Sequence, residues 1–290
     1  MYGLVTVSYS DNLSKLLELK QWLINNTLYT KGTRLECIIE RMEKITNYFH
    51  SNRMQDLIDE EGNINLWYTL TESSSFIEIY EMVRHLNINY LPRRAIKNAL
   101  RGPYLPMDEL PGDENVNYRN ILFELELASK LYKRKINIIG FEDIQFLFEN
   151  LHYYVQCKRL FSKKNVLHNI KSAQKQLIRN FNTTNDRGII ALSIDKILGL
   201  DGMMLKVKNE NEIQDKIYSL VNDFIITYNP LWIEDMHPQI VGIILVTKFV
   251  THILDKNLLS SCFFITIVPL CPPTNQDTAM LRHLAKTISP

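Results

Sequence analysis

The chain has 290 residues, 46% of them hydrophobic and 22% charged, and a formal net charge of +1. That balance belongs to a folded protein with a sizeable core and excludes a disordered or collagen-like chain. Cys37, Cys157, Cys262 and Cys271 lie far apart with no CxxC pair. They suit a reducing compartment and argue against a disulfide framework or a zinc ribbon. The first eight residues lack a basic stretch followed by a long apolar run, so no signal peptide is expected. The most apolar run, residues 240–250, is short for a membrane span and contains Lys248. A cytoplasmic protein without membrane contact is the expectation.

Residues 1–105 read as mainly helical. Leu13, Leu16, Leu17, Leu19, Trp22 and Leu23 mark a first amphipathic helix. Leu35, Ile38, Ile39, Met42, Ile45 and Phe49 mark a second. A turn is expected at Gly62, a helix over 76–86, and a short helix over 92–100 opened by Pro92. No catalytic grouping occurs here, and a layer that positions substrate or meets a partner is the reading. Residues 101–114 hold three prolines and two glycines, with Asp108, Glu109, Asp113 and Glu114. They mark an irregular connector, dividing a helical region 1–105 from a domain 106–290. Its acidic side chains read as a solvated loop.

A helix is expected over 120–131, strands over 143–148 and 153–159 joined by a turn at 149–152, and a helix over 165–181. Further on come a buried strand over 188–194, a helix over 212–224 and a short strand over 225–228. Apolar, β-branched strands follow over 240–246 and 262–268. Strands alternating with helices make this half α/β.

Chemistry concentrates in residues 120–179. At 100° per residue, Glu124 falls within the arc of Ile121, Leu125, Ala128, Leu131 and Tyr132, and Glu126 near the opposite side beside Lys130. A carboxylate on an apolar face needs a partner, so Glu124 either pairs with a nearby Arg such as Arg119 or holds a cation. Strand alternation puts Gln156 and Lys158 on one face and Val155 and Cys157 on the other, which sets Cys157 in the core and not beside His152 as a nucleophile. A hairpin brings Asp143 to the Gln156–Lys158 face. The result is two carboxylates, an amide oxygen and an ammonium, a set that suits metal-assisted phosphodiester hydrolysis.

The helix that follows buries Val166, Leu167, Ile170, Ala173, Leu177 and Ile178. It lines up His168, Lys171, Lys175 and Arg179 opposite them, at the spacing of a phosphate-contacting stripe. Gln174 sits within the apolar arc, either as a buried amide or facing the site. Residues 129–179 carry eleven Lys or Arg against Glu142, Asp143 and Glu149, about +8 inside a neutral protein.

A helix Glu, then a strand Asp, then a Gln-x-Lys resembles the PD-(D/E)xK, or restriction-endonuclease-like, nuclease superfamily. Val155-Gln-Cys-Lys-Arg159 is similar to the Gln-x-Lys form of Mrr-like restriction endonucleases, and the resemblance spans residues 115–195. It implies a central mixed sheet flanked by helices behind an N-terminal helical region. It also implies a magnesium-dependent deoxyribonuclease, with Mn²⁺ able to substitute. Glu124, Asp143 and Gln156 would be the metal ligands and Lys158 the catalytic lysine. Arg159, His168, Lys171, Gln174, Lys175 and Arg179 would contact nucleic acid, DNA before RNA. Two departures accompany it: Glu142 competes with Asp143, and Gln156 replaces an acid. Restriction or anti-phage defence is the role such an enzyme would suit, with a protein partner or a second copy as further associates. The alternative is a non-catalytic nucleic-acid-binding or assembly protein that kept the fold.

Overall fold

A mixed sheet of seven strands occupies the second half of the chain, and every helix packs on it or on its neighbours. The computed structural model describes residues 8–29, 31–105, 115–141, 143–233, 235–256, 258–272 and 275–288. The acidic cluster of Asp108, Glu109, Asp113 and Glu114 lies outside them, as does Glu142.

The N-terminal region is helical as expected. Helix α1 (Tyr9–Asn25) starts at Ser8, whose hydroxyl accepts from the Asp11 amide at 3.0 Å and so satisfies one of the free donors of the first turn. Helix α2 (Arg34–His50) and helix α3 (Met54–Val83) follow. The turn expected at Gly62 is a break inside α3, where φ is 73° and only glycine is comfortable. Helix α4 (Arg93–Ala99) begins just after Pro92. Leu16, Leu23, Leu35, Ile38, Met42, Leu57 and Met82 form a core with Leu122, Leu125, Val250 and Leu259 from the second half. The helical region therefore shares its core with the sheet domain.

Helix α5 (Asn115–Lys133) leads into β1 (Asn137–Gly140), β2 (Gln145–Phe148) and β3 (Leu151–Arg159), an antiparallel meander. The β2–β3 turn is Glu149–Asn150, both with positive φ (51° and 62°), the hairpin geometry that follows the right-handed twist of the strands. Helix α6 (Val166–Asn180) crosses to β4 (Asp186–Ser193), parallel to β3. Next come β5 (Met204–Val207), helix α7 (Asn211–Ile233), β6 (Ile240–Ile253), β7 (Leu258–Pro269) and helix α8 (Gln276–Ile288). Strands β4 and β5 pair in parallel with one side of β6, and β7 runs antiparallel along the other. The sheet is buried on both faces. Val155, Cys157, Ile189, Ala191 and Ile244 pack with Phe123 and Leu127 of α5 and Leu281 of α8. Tyr154, Ile190, Leu192 and Leu245 pack under α6 and α7.

Two expectations are corrected. The short strand over 225–228 is part of α7, because Val221, Phe224 and Trp232 are buried at helical spacing and outweigh the strand preference of Ile225–Ile226. Glu126 does not face water. It is 1% exposed and pairs with Lys248 at 2.5 Å, while Glu124 is half-buried. Helix α5 is covered on one side by the N-terminal helices and on another by the sheet, so a single apolar arc does not describe it. Among the described residues, no helix is long and apolar enough to cross a membrane.

Candidate functional site

Glu124, Asp143, Gln156 and Lys158 come from three separate pieces of chain: α5, the turn before β2, and β3; β1 lies between the first two, and the strand expected from residue 143 begins only at Gln145. The Val155 amide donates to the Ile144 carbonyl at 2.8 Å, and Gln145 pairs with Tyr154. Asp143 lies two residues before Gln145, outside that paired register. Asp143 takes a left-handed conformation (φ 52°) with its side chain exposed, a state Asp tolerates better than most residues. Gln156 is 6% exposed and shares with Tyr154 and Lys158 the face covered by α6.

Lys158 lies within electrostatic reach of both carboxylates. Burial pulls its ammonium below the ordinary lysine value, and the carboxylates of Glu124 and then Asp143 act against that pull. Its Nζ donates to Gln176 Oε1 of α6 at 2.7 Å. Helix, turn and strand thus bring two carboxylates into electrostatic reach of one lysine.

Cys157 points the other way, into the core beneath α5. Burial pushes its thiol well above the ordinary value, with Glu124 and Asp143 adding in the same sense and Lys158 opposing. A thiol so held does not form the reactive anion near neutral pH. Titration of the native protein with a disulfide probe should therefore find exposed Cys37 reactive, and buried Cys157 and Cys262 reactive only after denaturation. Rapid modification of Cys157 in the folded state would contradict this placement.

On α6, His168, Lys171, Lys175 and Arg179 are all exposed in one stripe, and Lys171 also lies 3.4 Å from Asp235. The buried face is narrower than expected: Val166, Ile170, Ala173 and Leu177 are covered, while Leu167 and Ile178 are not. Gln174 does not reach the site. Its Nε2 donates to the Asp235 carbonyl and its Oε1 accepts from the His237 amide, both at 3.1 Å, so it ties α6 to the segment entering β6. The α6 amide beside Lys158 is Gln176, which no pattern in the sequence singles out. Gln174 and Gln176 flank the apolar face on opposite sides, and only the packing of α6 on β3 decides which flank meets the lysine.

Arg159 turns to the opposite sheet face and stands at 5.1 Å over the Phe161 ring. There a cavity of about 40 Å³ is lined by Tyr68, Glu72, Arg119, Arg159, Asp195 and Lys248, among others. Its volume admits water or an ion and not a nucleotide. The ion pairs beside it are structural. Glu72, 4% exposed, takes Arg34 Nε on one oxygen and Arg119 Nε on the other, both at 2.7 Å.

Among the described residues, no three His, Cys, Asp or Glu side chains are grouped to hold a metal ion. The candidate set contains two carboxylates and an amide. No family model, curated protein or solved structure matches this chain.

Proposed function

We propose that the chain is a magnesium-dependent nuclease of the PD-(D/E)xK type, acting on DNA through Glu124, Asp143, Gln156 and Lys158. The supporting observation is the joint action of the Glu124 and Asp143 carboxylates on Lys158 from separate elements. The order of those elements, followed by a helix with an exposed basic stripe, is the order the resemblance implies.

The donors are all oxygens, which fits a hard divalent cation that keeps part of its own hydration; Glu124, Asp143 and the Gln156 amide would hold it. When bound, Mg²⁺ supplies Lewis acidity at the scissile phosphate. Lys158 presents an ammonium to the charge that grows on the phosphate oxygens. Gln176 fixes the lysine's direction, and the α6 stripe tracks the phosphate backbone. Gln156 in place of an acid leaves the site less negative, and this favours a second reading in which the chain binds nucleic acid without cutting it. A role in restriction or anti-phage defence would follow from the first reading by analogy alone.

The test is to incubate the full chain with plasmid, linear DNA and RNA, with Mg²⁺ or EDTA, and to measure binding across salt concentrations. Cleavage of DNA that needs the cation supports the enzyme, and salt-sensitive binding without cleavage supports the second reading. Lys171→Ala and Lys175→Ala should each reduce the slope of log affinity against log salt by about 0.9, with little sequence dependence. Unchanged slopes would remove the stripe from the interface.

A further inference from the structure

Among the described residues, strand β7 pairs on one side only, with β6. The Leu270 amide bonds to the Val241 carbonyl, while the Val246 carbonyl accepts from Ile194 on the β4 side, so the odd-numbered residues of β6 turn their backbone groups towards β7. The register pairs those odd residues with even ones, from Ile243 with Val268 to Ile253 with Leu258. The backbone groups of Leu259, Ser261, Phe263, Ile265 and Ile267 therefore face outward. At Leu259 both are taken by the Tyr9 hydroxyl, which donates to the carbonyl at 2.6 Å and accepts from the amide at 2.9 Å. From Ser261 to Ile267 nothing among the described residues takes them. Pro269, with no N–H, ends the edge.

Natural sheets protect such an edge with charge, proline, a bulge or a covering element. Residues 258–268 contain no charged residue and no proline, and the β6–β7 register is unbroken. The edge lies in a groove lined by Tyr218, Phe264, Ile265, Ile267, Ala285 and Ile288. A second observation extends the surface. Tyr218 of α7 packs edge-on against Phe264 with centroids 5.3 Å apart. Tyr218, Ile225, Ile226 and Ile233 fall within an arc of about 100° on that flank of α7. Tyr218, Ile226 and Ile233 are 41%, 65% and 51% exposed.

We infer that this edge is a self-association surface, and that its occupant is β7 of a second copy of the chain. Antiparallel pairing about a two-fold axis at Phe264 sets Ser261 opposite Ile267 and Phe263 opposite Ile265, which satisfies the outward amide and carbonyl of all four. The uncharged strand meets itself without like-charge repulsion, where a charged strand would not. The same axis brings the apolar flanks of the two α7 helices side by side on one face of the joined sheet. Edge and flank are self-complementary together, the requirement for an isologous dimer.

The test is sedimentation of the full chain at concentrations up to about 100 µM, a range that detects weak dimers, with hydrogen exchange read on the same samples. The wild type should sediment at twice its 34.0 kDa chain mass. The amides of Ser261, Phe263, Ile265 and Ile267 should be protected in the dimer and exchange freely on dilution. Ile265→Pro removes only an outward N–H, which an edge strand tolerates. Ile226→Glu with Ile233→Glu changes exposed helix positions and spares the core. Either variant should weaken dimerisation at least about tenfold with circular dichroism unchanged. A monomer throughout the range, or a dimer in which those four amides exchange freely, overturns the inference. So does a dimer that persists unchanged in the α7 double variant, whose substituted positions are exposed.

Discussion

Asp143→Asn is expected to slow DNA cleavage by about a thousandfold or more while leaving the folded protein as stable as the wild type. Asp143 is exposed, so its side chain contributes nothing to the core. Its backbone is left-handed, and Asn occupies that conformation as readily as Asp, so the substitution removes a charge without straining the turn. Ala would confuse the two effects. Lys158→Ala should cause a loss of the same order, because the Glu124 and Asp143 carboxylates both act on its ammonium. Gln176→Ala should cost less, since it frees the lysine without removing it. Rates measured at saturating Mg²⁺, beside thermal melts, decide the matter. A variant of Asp143 that cuts like the wild type would remove this residue from the site.

The largest effect on stability is expected from Glu72→Ala. The substitution leaves Arg34 and Arg119 as buried guanidiniums without their shared carboxylate, a change that costs about 3–5 kcal/mol in comparable buried pairs. For a chain of this size, a loss of that order lowers the melting temperature by on the order of 10 °C. The same triad sets a pH limit. Burial on its own would lift the Glu72 carboxyl, but Arg34 and Arg119 outweigh it and hold the group below its ordinary value of 4.5. A carboxyl depressed in the folded state stabilises fully above its unfolded value, and that stability is lost as pH falls through the folded value. Melts from pH 7 down to about 3 should show a fall beginning near the ordinary carboxylate range in the wild type and a shallower one in Glu72→Ala. Parallel curves would contradict this account of the triad.

Much of the architecture was legible because hydrophobic spacing repeats where burial is one-sided. Helices α1, α2 and α6 follow that rule, whereas strands β4 and β6, buried on both faces, were legible as short continuous apolar runs. In helices the pattern failed where burial is two-sided. Helix α5 is covered from two directions, so Glu126 could be buried on what looked like the wet side once Lys248 of β6 paired with it. Strands β1 and β5 are four residues each, too short for periodicity to register. In α7 the β-branched pair Ile225–Ile226 outvoted the helical phase of its neighbours locally but not over the whole element. At the candidate site, alternation along β3 correctly grouped Gln156 with Lys158 and set Cys157 in the core, because a strand has only two faces. The amide beside Lys158 was not legible: the flanks of α6 are equivalent in sequence, and only its packing on β3 and the segment before β6 separates Gln174 from Gln176.

The central claim is that three oxygen ligands and one lysine make a cation-dependent phosphodiesterase site, with Gln156 the weakest ligand. Its most direct test is the dependence of DNA cleavage on Mg²⁺ concentration in the wild type and in Gln156→Glu, which restores a third carboxylate. No cleavage is expected in EDTA, and the half-saturating Mg²⁺ concentration should fall by on the order of tenfold in Gln156→Glu as charge is added around the cation. Cleavage that persists in EDTA, or identical Mg²⁺ curves for the two proteins, would contradict it.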